Sequence, residues 1–244
     1  MENSTIKIKK IGVVLFWLFV WQIIALLLGK PLLLPTVPAV FLRLLELIWT
    51  KSFWLITITS FSRISLGFLC ALLIGLLGGF FTYRWISVRI LFTPVLQVMR
   101  ATPLASFIIL ALIWLKSGIL PSFIAGFSIL PIIWLSVQTG LEQMSIPYGE
   151  MAKVFGLNWQ KKLRFIYAPQ VKPYFLSACI TAVGFAWKAG VTAELLSLPQ
   201  FGIGTELYSG KIYLETVDLF VWTLVLIIIS VALERMVKKW LSKN

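Results

Sequence analysis

Hydrophobic and polar positions are sorted along this chain into blocks, with little short-period alternation. Apolar runs of about 20 residues, the length that crosses a bilayer as a helix, are separated by short polar stretches rich in Lys and Arg. The first run is Ile11 to Leu28, preceded by Lys7, Lys9 and Lys10. It is long for a signal peptide and no A-x-A-like cleavage site follows, so the pattern predicts a first span over 11–28. Pro31, Pro35 and Pro38 then forbid a continuous helix. Residues 38–56 place Arg43, Glu46 and Lys51 among apolar neighbours, which predicts an amphipathic helix at the outer interface. Core spans are expected within 61–233: Phe61 to Phe81, Val88 to Leu115, Ile119 to Thr139, Pro173 to Thr192, and Val217 to Leu233. The segment 88–115 is too long for one untilted span and is interrupted at Arg100-Ala101-Thr102-Pro103, where proline removes a helical hydrogen bond. The fold class expected is all-α integral membrane, a single transmembrane domain over 1–244 with about six transmembrane helices.

Composition supports that solvent. Hydrophobic residues are 59% of 244 and charged residues only 13%, too few to cover a soluble domain of this size. The net charge of +13 raises the question of nucleic acid, but the basic residues lie between apolar runs and form no face; nucleic-acid binding is excluded on that ground. With both termini inside, 14 of the 22 basic residues fall in cytoplasmic segments, so the chain is expected to have both ends, and the polar stretch 140–172, in the cytoplasm. The two cysteines, Cys70 and Cys179, sit in apolar runs as small hydrophobes. There is no histidine, which removes the commonest zinc and acid/base side chain.

The stretch 140–172 is large for so economical a chain. From Pro147 to Pro169 it reads as two short helices bent at Gly156. Tyr148, Ala152 and Phe155 share one face, Trp159, Leu163 and Ile166 share another, and Pro169 is expected to stop the second helix before the next span. Glu150, Ala152, Gly156, Ile166 and Pro169 fit the pattern E-A-A-x(3)-G-x(9)-I-x-L-P at every spacing, with Met151 in place of the first alanine and Ala168 in place of the leucine. In this the chain resembles the cytoplasmic coupling loop of binding-protein-dependent ABC importer permeases. Leu34-Pro-Thr-Val-Pro38, Arg63 to Gly67, Arg100 to Pro103 and Glu194 to Gly204 are similar to the branch that imports nitrate, sulfonates, taurine and bicarbonate. The resemblance implies the type I ABC importer permease fold in a bacterial inner membrane. It also implies a homodimer of two permease copies, two cytoplasmic ATPase subunits docked on 147–169, and an extracytoplasmic solute-binding protein. Glu150, Ala152, Phe155, Gly156, Trp159, Ile166 and Pro169 are the expected docking residues. No Walker loop occurs: Gly210-Lys211 comes nearest, without the required Gly at 205 or Ser/Thr at 212. No cofactor is therefore expected in this chain, ATP and Mg being bound by the partner.

Charges inside spans are costly and invite a functional reading. Arg100, beside the helix restarting at Thr102 and Pro103, is a candidate contact for an anion in the translocation path; capping a carbonyl end or pairing with a carboxylate are the alternatives. Lys188 lines the same path or snorkels to the interface. Glu194 contacts a delivery protein or caps a helix, and Gly75, Gly78 and Gly79 are read as packing positions. The expectation is a non-catalytic permease subunit for a small, anionic solute. A self-contained secondary transporter is the alternative, weakened by the scarcity of carboxylates within the spans.

Overall fold

The structure, a computed structural model, describes residues 2–143 and 158–243. Among these residues there are helices and no strands. They are α1 (Glu2–Leu28), α2 (Val37–Ile48), α3 (Lys51–Arg84), α4 (Ile86–Ala101), α5 (Leu104–Ala111) and α6 (Leu120–Glu142), followed by α7 (Trp159–Lys162), a π-helical turn (Leu163–Tyr167), α8 (Ala168–Ser197), α9 (Ile203–Ile212) and α10 (Thr216–Lys243). Four helical stretches are long and apolar enough to cross a membrane: α3, α6, Gln160–Ser197 and Thr216–Lys239. The pair α4 and α5 adds a fifth crossing when counted as one broken span, bent by 104°. Gly12–Leu28 is a shorter apolar helix.

Two expected boundaries move. The amphipathic helix predicted over 38–56 is divided: α2 ends at Ile48, and residues from Lys51 onward open α3. The divider is local chemistry. Thr50 takes an extended conformation and its hydroxyl accepts from the Phe53 amide at 3.3 Å, an N-cap that starts a new helix. Between Ser197 and Thr216, where a plain loop was expected, the chain forms α9. Its residues carry no apolar period, and its N-terminus is capped by Ser60 of α3 and by Glu194 of the preceding helix, so periodicity along the sequence gives no sign of it.

Lipid supplies no hydrophobic drive between helices, so packing here rests on small residues that let backbones approach. A Cβ on Gly67 would run into the Ser122 carbonyl, and one on Gly126 would lie 2.9 Å from the Gly67 carbonyl oxygen. Further along, Gly75 faces Ile133, Gly78 faces the Trp134 ring and Gly79 faces Val137. The Trp134 indole N–H donates to the Thr82 hydroxyl at 3.2 Å, so the one buried polar ring in this seam is satisfied. Contacts that rise together in residue number mean that α3 and α6 run parallel. The chain must therefore cross back between them, and it does so through α4 and α5. α8 runs the other way, with Tyr174 against Gly140 and Gly190 against Ile64. α10 is antiparallel to α8, its Leu226 carbonyl accepting from the Trp187 indole at 3.2 Å. In this register Arg84, Arg89, Lys161, Lys162, Arg164, Arg235 and Lys238 collect at one end of the bundle.

Replacing Gly67 by Leu drives a side chain into the backbone of α6 and is expected to cost about 3 kcal/mol, the upper part of the range for overpacking. Thermal unfolding in detergent checks this. Gly12→Leu, where the added carbon meets nothing within 4 Å, leaves the midpoint unchanged.

Candidate functional site

The first half of the expected docking segment, with Glu150, Ala152, Phe155 and Gly156, lies outside the described residues. Its second half is described. Trp159 opens α7. Ile166 is only 6% exposed and lies in the π-helical turn, so its side chain anchors the segment to the bundle, and Leu163 and Phe165 face outward instead. Tyr167 meets Tyr83 of α3 edge to face, with ring centroids 6.4 Å apart. The expectation that Pro169 stops a helix is not met: helix continues from Gln160 to Ser197. The physical reason is the wider turn just before it. The Ala168 amide bonds the Leu163 carbonyl five residues back, and this expanded register accommodates a proline that has no N–H to donate and a ring that would clash in a regular turn. At the other side of the segment, Glu142 ends α6. It accepts from Arg89 of α4 at 2.6 Å and from the Gln138 amide at 3.0 Å. That link joins the foot of α6 to the start of the broken span.

The broken span itself is punctuated at the expected place. Thr102 leaves the helical region, its amide and hydroxyl both bonding the Val98 carbonyl (2.9 and 2.7 Å), and Pro103 in extended conformation precedes α5. Arg100 and Lys188 are exposed on the single chain, and among the described residues neither forms an ion pair. A cavity of about 560 Å³ lies between α3 and α6. Arg63 is the charged residue on its wall, and Met99, next to Arg100, reaches its edge.

The opposite end from the basic residues is built around Glu194, for which the sequence offered two readings, contact with a delivery protein or a helix cap. Glu194 is fully buried. Its Oε2 accepts from the Ser60 hydroxyl at 2.9 Å and from the Gly204 amide at 3.1 Å, while Ser60 accepts from the Ile203 amide at 2.9 Å. Ser60 and Glu194 together satisfy the first amides of α9, the groups every helix start leaves open. Arg63 stands 3.7 Å from Oε1 and donates to the carbonyls of Gln200 (2.9 Å) and Phe201 (3.3 Å). These bonds pin a short loop in which Leu198 and Phe201 hold positive φ values of 49° and 54°, a conformation that costs non-glycine residues free energy. Gly204 has no room for a side chain, since a Cβ would collide with the backbone of Val191 and Leu195. Glu194 thus caps a helix in place of presenting itself to a partner. Ser60 was not foreseen; the faint signal is a small polar residue one turn before Arg63 in an otherwise apolar run.

Near the same end, Arg43 of α2 makes a two-pronged pair with Asp218 of α10 (2.6 and 2.9 Å) and a further bond to Glu46 at 3.1 Å. The carboxylates of Asp218 and Glu46 push the guanidinium pKa upward, and the pair fastens α2 to the start of α10. Gln22 of α1 receives the Val37 amide at 2.9 Å, capping α2 from another helix. Glu206 on α9 is half-buried, and burial, with the nearby Asp218 and Glu215 charges, raises its carboxyl above the usual range.

Two outcomes follow from this geometry. Glu194→Ala strands Arg63, Ser60 and the Gly204 amide, and is expected to lower stability by about 3 kcal/mol, with Ser60→Ala costing about 1 kcal/mol; thermal unfolding of the detergent-solubilised variants reads both. A folded-state pKa raised at Glu206 favours the protonated fold. That contribution is present below the unfolded carboxyl pKa and is lost as pH rises through the folded one. Glu206→Gln is therefore expected to raise the unfolding midpoint at pH 7 and to leave it unchanged in acid below both values.

Known proteins place this arrangement. Residues 71–239 match the profile of the family described as binding-protein-dependent transport system inner membrane component. The chain is 27% identical over 243 residues to the taurine transport system permease protein of Escherichia coli (strain K12), covering 96% of this chain and 86% of that one. It is 28% identical over 199 residues to the nitrate import permease protein of Synechococcus elongatus, covering 77% and 71%. It is also 25% identical over 201 residues to the glycine betaine/carnitine transport permease protein of Listeria monocytogenes, covering 82% and 70%. With the family profile matched over more than half of its length, the helices crossing where apolar runs foretold and the transport permeases among its relatives, the chain belongs to the binding-protein-dependent inner membrane components, as a multi-pass permease of the ABC importer class.

Proposed function

We propose that two copies of this chain form the translocation path of an ATP-driven importer for a small, anionic solute, and that residues 147–169 dock a cytoplasmic ATPase subunit on each copy. A separate extracytoplasmic protein delivers the solute, and both termini lie in the cytoplasm. The observation that carries this reading is the place of the Glu150–Pro169 pattern. It follows α6 in sequence and runs into the first turn of α8. The described residues that flank it, up to Glu142 and from Trp159 onward, lie at the end of the bundle where the basic residues collect, as positive-inside topology requires of a cytoplasmic segment. The family supports the partnership with an ATPase and a binding protein. The anion reading draws support from two exposed cations, Arg100 and Lys188, without ion-pair partners among the described residues. Taurine, nitrate, glycine betaine and carnitine, named for the three relatives, all carry an anionic group.

Two measurements test it. The intact chain, extracted in mild detergent, is expected to co-purify with an ATPase, and Gly156→Asp to lose it; retention of the ATPase by that variant would sink the docking assignment. In proteoliposomes holding the assembled importer, Arg100→Ala and Lys188→Ala are each expected to slow uptake about tenfold, the equivalent of roughly 1.4 kcal/mol of lost ion contact. Unchanged rate and selectivity in both would remove these residues from the path.

A further inference from the structure

The cavity beside α3 is unsuited to the solutes of such an importer, and its shape says what suits it better. Its walls are Leu66, Cys70 and Ile74 of α3 facing Phe127 and Leu130 of α6, with Arg63 at one end. A small hydrophilic anion entering it would exchange its hydration for apolar surface along nearly the whole length, which is unfavourable. The groove also opens sideways: Leu66 and Ile74 are 61% and 52% exposed.

Dimensions fix its level in the bilayer. Between Arg63 and Arg84, α3 carries no charged residue, a stretch of about 30 Å at 1.5 Å per residue, equal to the hydrocarbon thickness. Arg63 therefore sits at one headgroup level and Arg84 at the other. From Arg63 to Ile74 the groove runs about 16 Å, the depth of one leaflet. The described residues take two of the five guanidinium N–H groups, for the Gln200 and Phe201 carbonyls, and the side chain stays 19% exposed, which leaves it donors to offer phosphate oxygens. Glu194 at 3.7 Å holds the guanidinium in place.

We propose that this groove seats one acyl chain of a membrane phospholipid, with Arg63 binding its phosphate. The chain lies in the groove beside the seam where α3 and α6 touch through Gly67 and Gly126, just below the Glu194 cluster. The assignment needs only that the chain lies in a bilayer; it stands or falls apart from ATPase docking and solute.

The test uses the full chain in vesicles of phosphatidylethanolamine and phosphatidylglycerol containing a trace of phospholipid with a diazirine midway along one acyl chain. After illumination, adducts are mapped by mass spectrometry. They are expected to concentrate on 66–74 and 123–130. Cys70→Trp, which fills the groove, and Arg63→Gln, which removes the phosphate contact, are each expected to lower that labelling about tenfold, one ion contact's worth. Leu66→Trp at the open edge serves if Cys70→Trp does not yield folded protein. Adducts spread evenly over all lipid-facing helices would overturn the proposal, as would labelling unchanged in the blocked variant. So would an oxidative disulfide joining Cys70 of two copies, which would give the groove to a second permease.

Discussion

Everything in this bundle hangs on the approach of α3 to α6. In lipid, helices are held by contact and by satisfied polar groups, without the water-driven force that assembles soluble cores. Gly67 against Ser122, Gly75 against Ile133 and Gly79 against Val137 bring two parallel helices together over most of their length. Parallel packing in turn obliges the intervening chain to cross back, which is the work of α4 and α5. α8 then packs along both helices, antiparallel, and α10 along α8. A single row of small residues thus dictates the order in which the crossings are laid down.

Polar groups complete the frame at its two ends, by different means. At one end a buried carboxylate, a serine and an arginine bind the first turn of α9 and a strained loop. The Glu194 carboxylate is fully buried, so stranding its partners by removing it is expensive. At the other end Arg89 and Glu142 make a half-exposed pair, which is worth little by itself but joins the broken span to the end of α6.

The large features were legible in the sequence because bilayer physics is written in long blocks. Apolar runs foretold the crossings, and Arg100-Ala101-Thr102-Pro103 foretold the break between α4 and α5. The pattern from Glu150 to Pro169 led to the family that the comparisons bear out. What stayed hidden depends on tertiary partners. α9 has no apolar period and is capped by Ser60, 143 residues away in sequence from Ile203. The end of α2 was set by a threonine cap inside a stretch that reads as uniformly amphipathic. Pro169 looked like a stop signal, as it is in an ordinary helix, and only the wide turn before it lets the helix pass. Arg63 entered only through the resemblance of Arg63 to Gly67, and its role as a clasp for Gln200 and Phe201 required knowing where that loop folds back.

That wide turn has a mechanical consequence. Because the helix passes Pro169 unbroken, residues 160–197 form one arm of 38 residues, about 57 Å from tip to tip. Tilted about a pivot at its foot by about 5°, such a beam sweeps its far end through about 5 Å, close to one helical pitch. Glu194 sits one turn short of its far end, Ser197. A push delivered beside the foot of α8 would meet the π-helical turn and Pro173 first, the two places where such a helix bends, and only the straight remainder would carry it to the clasp around α9.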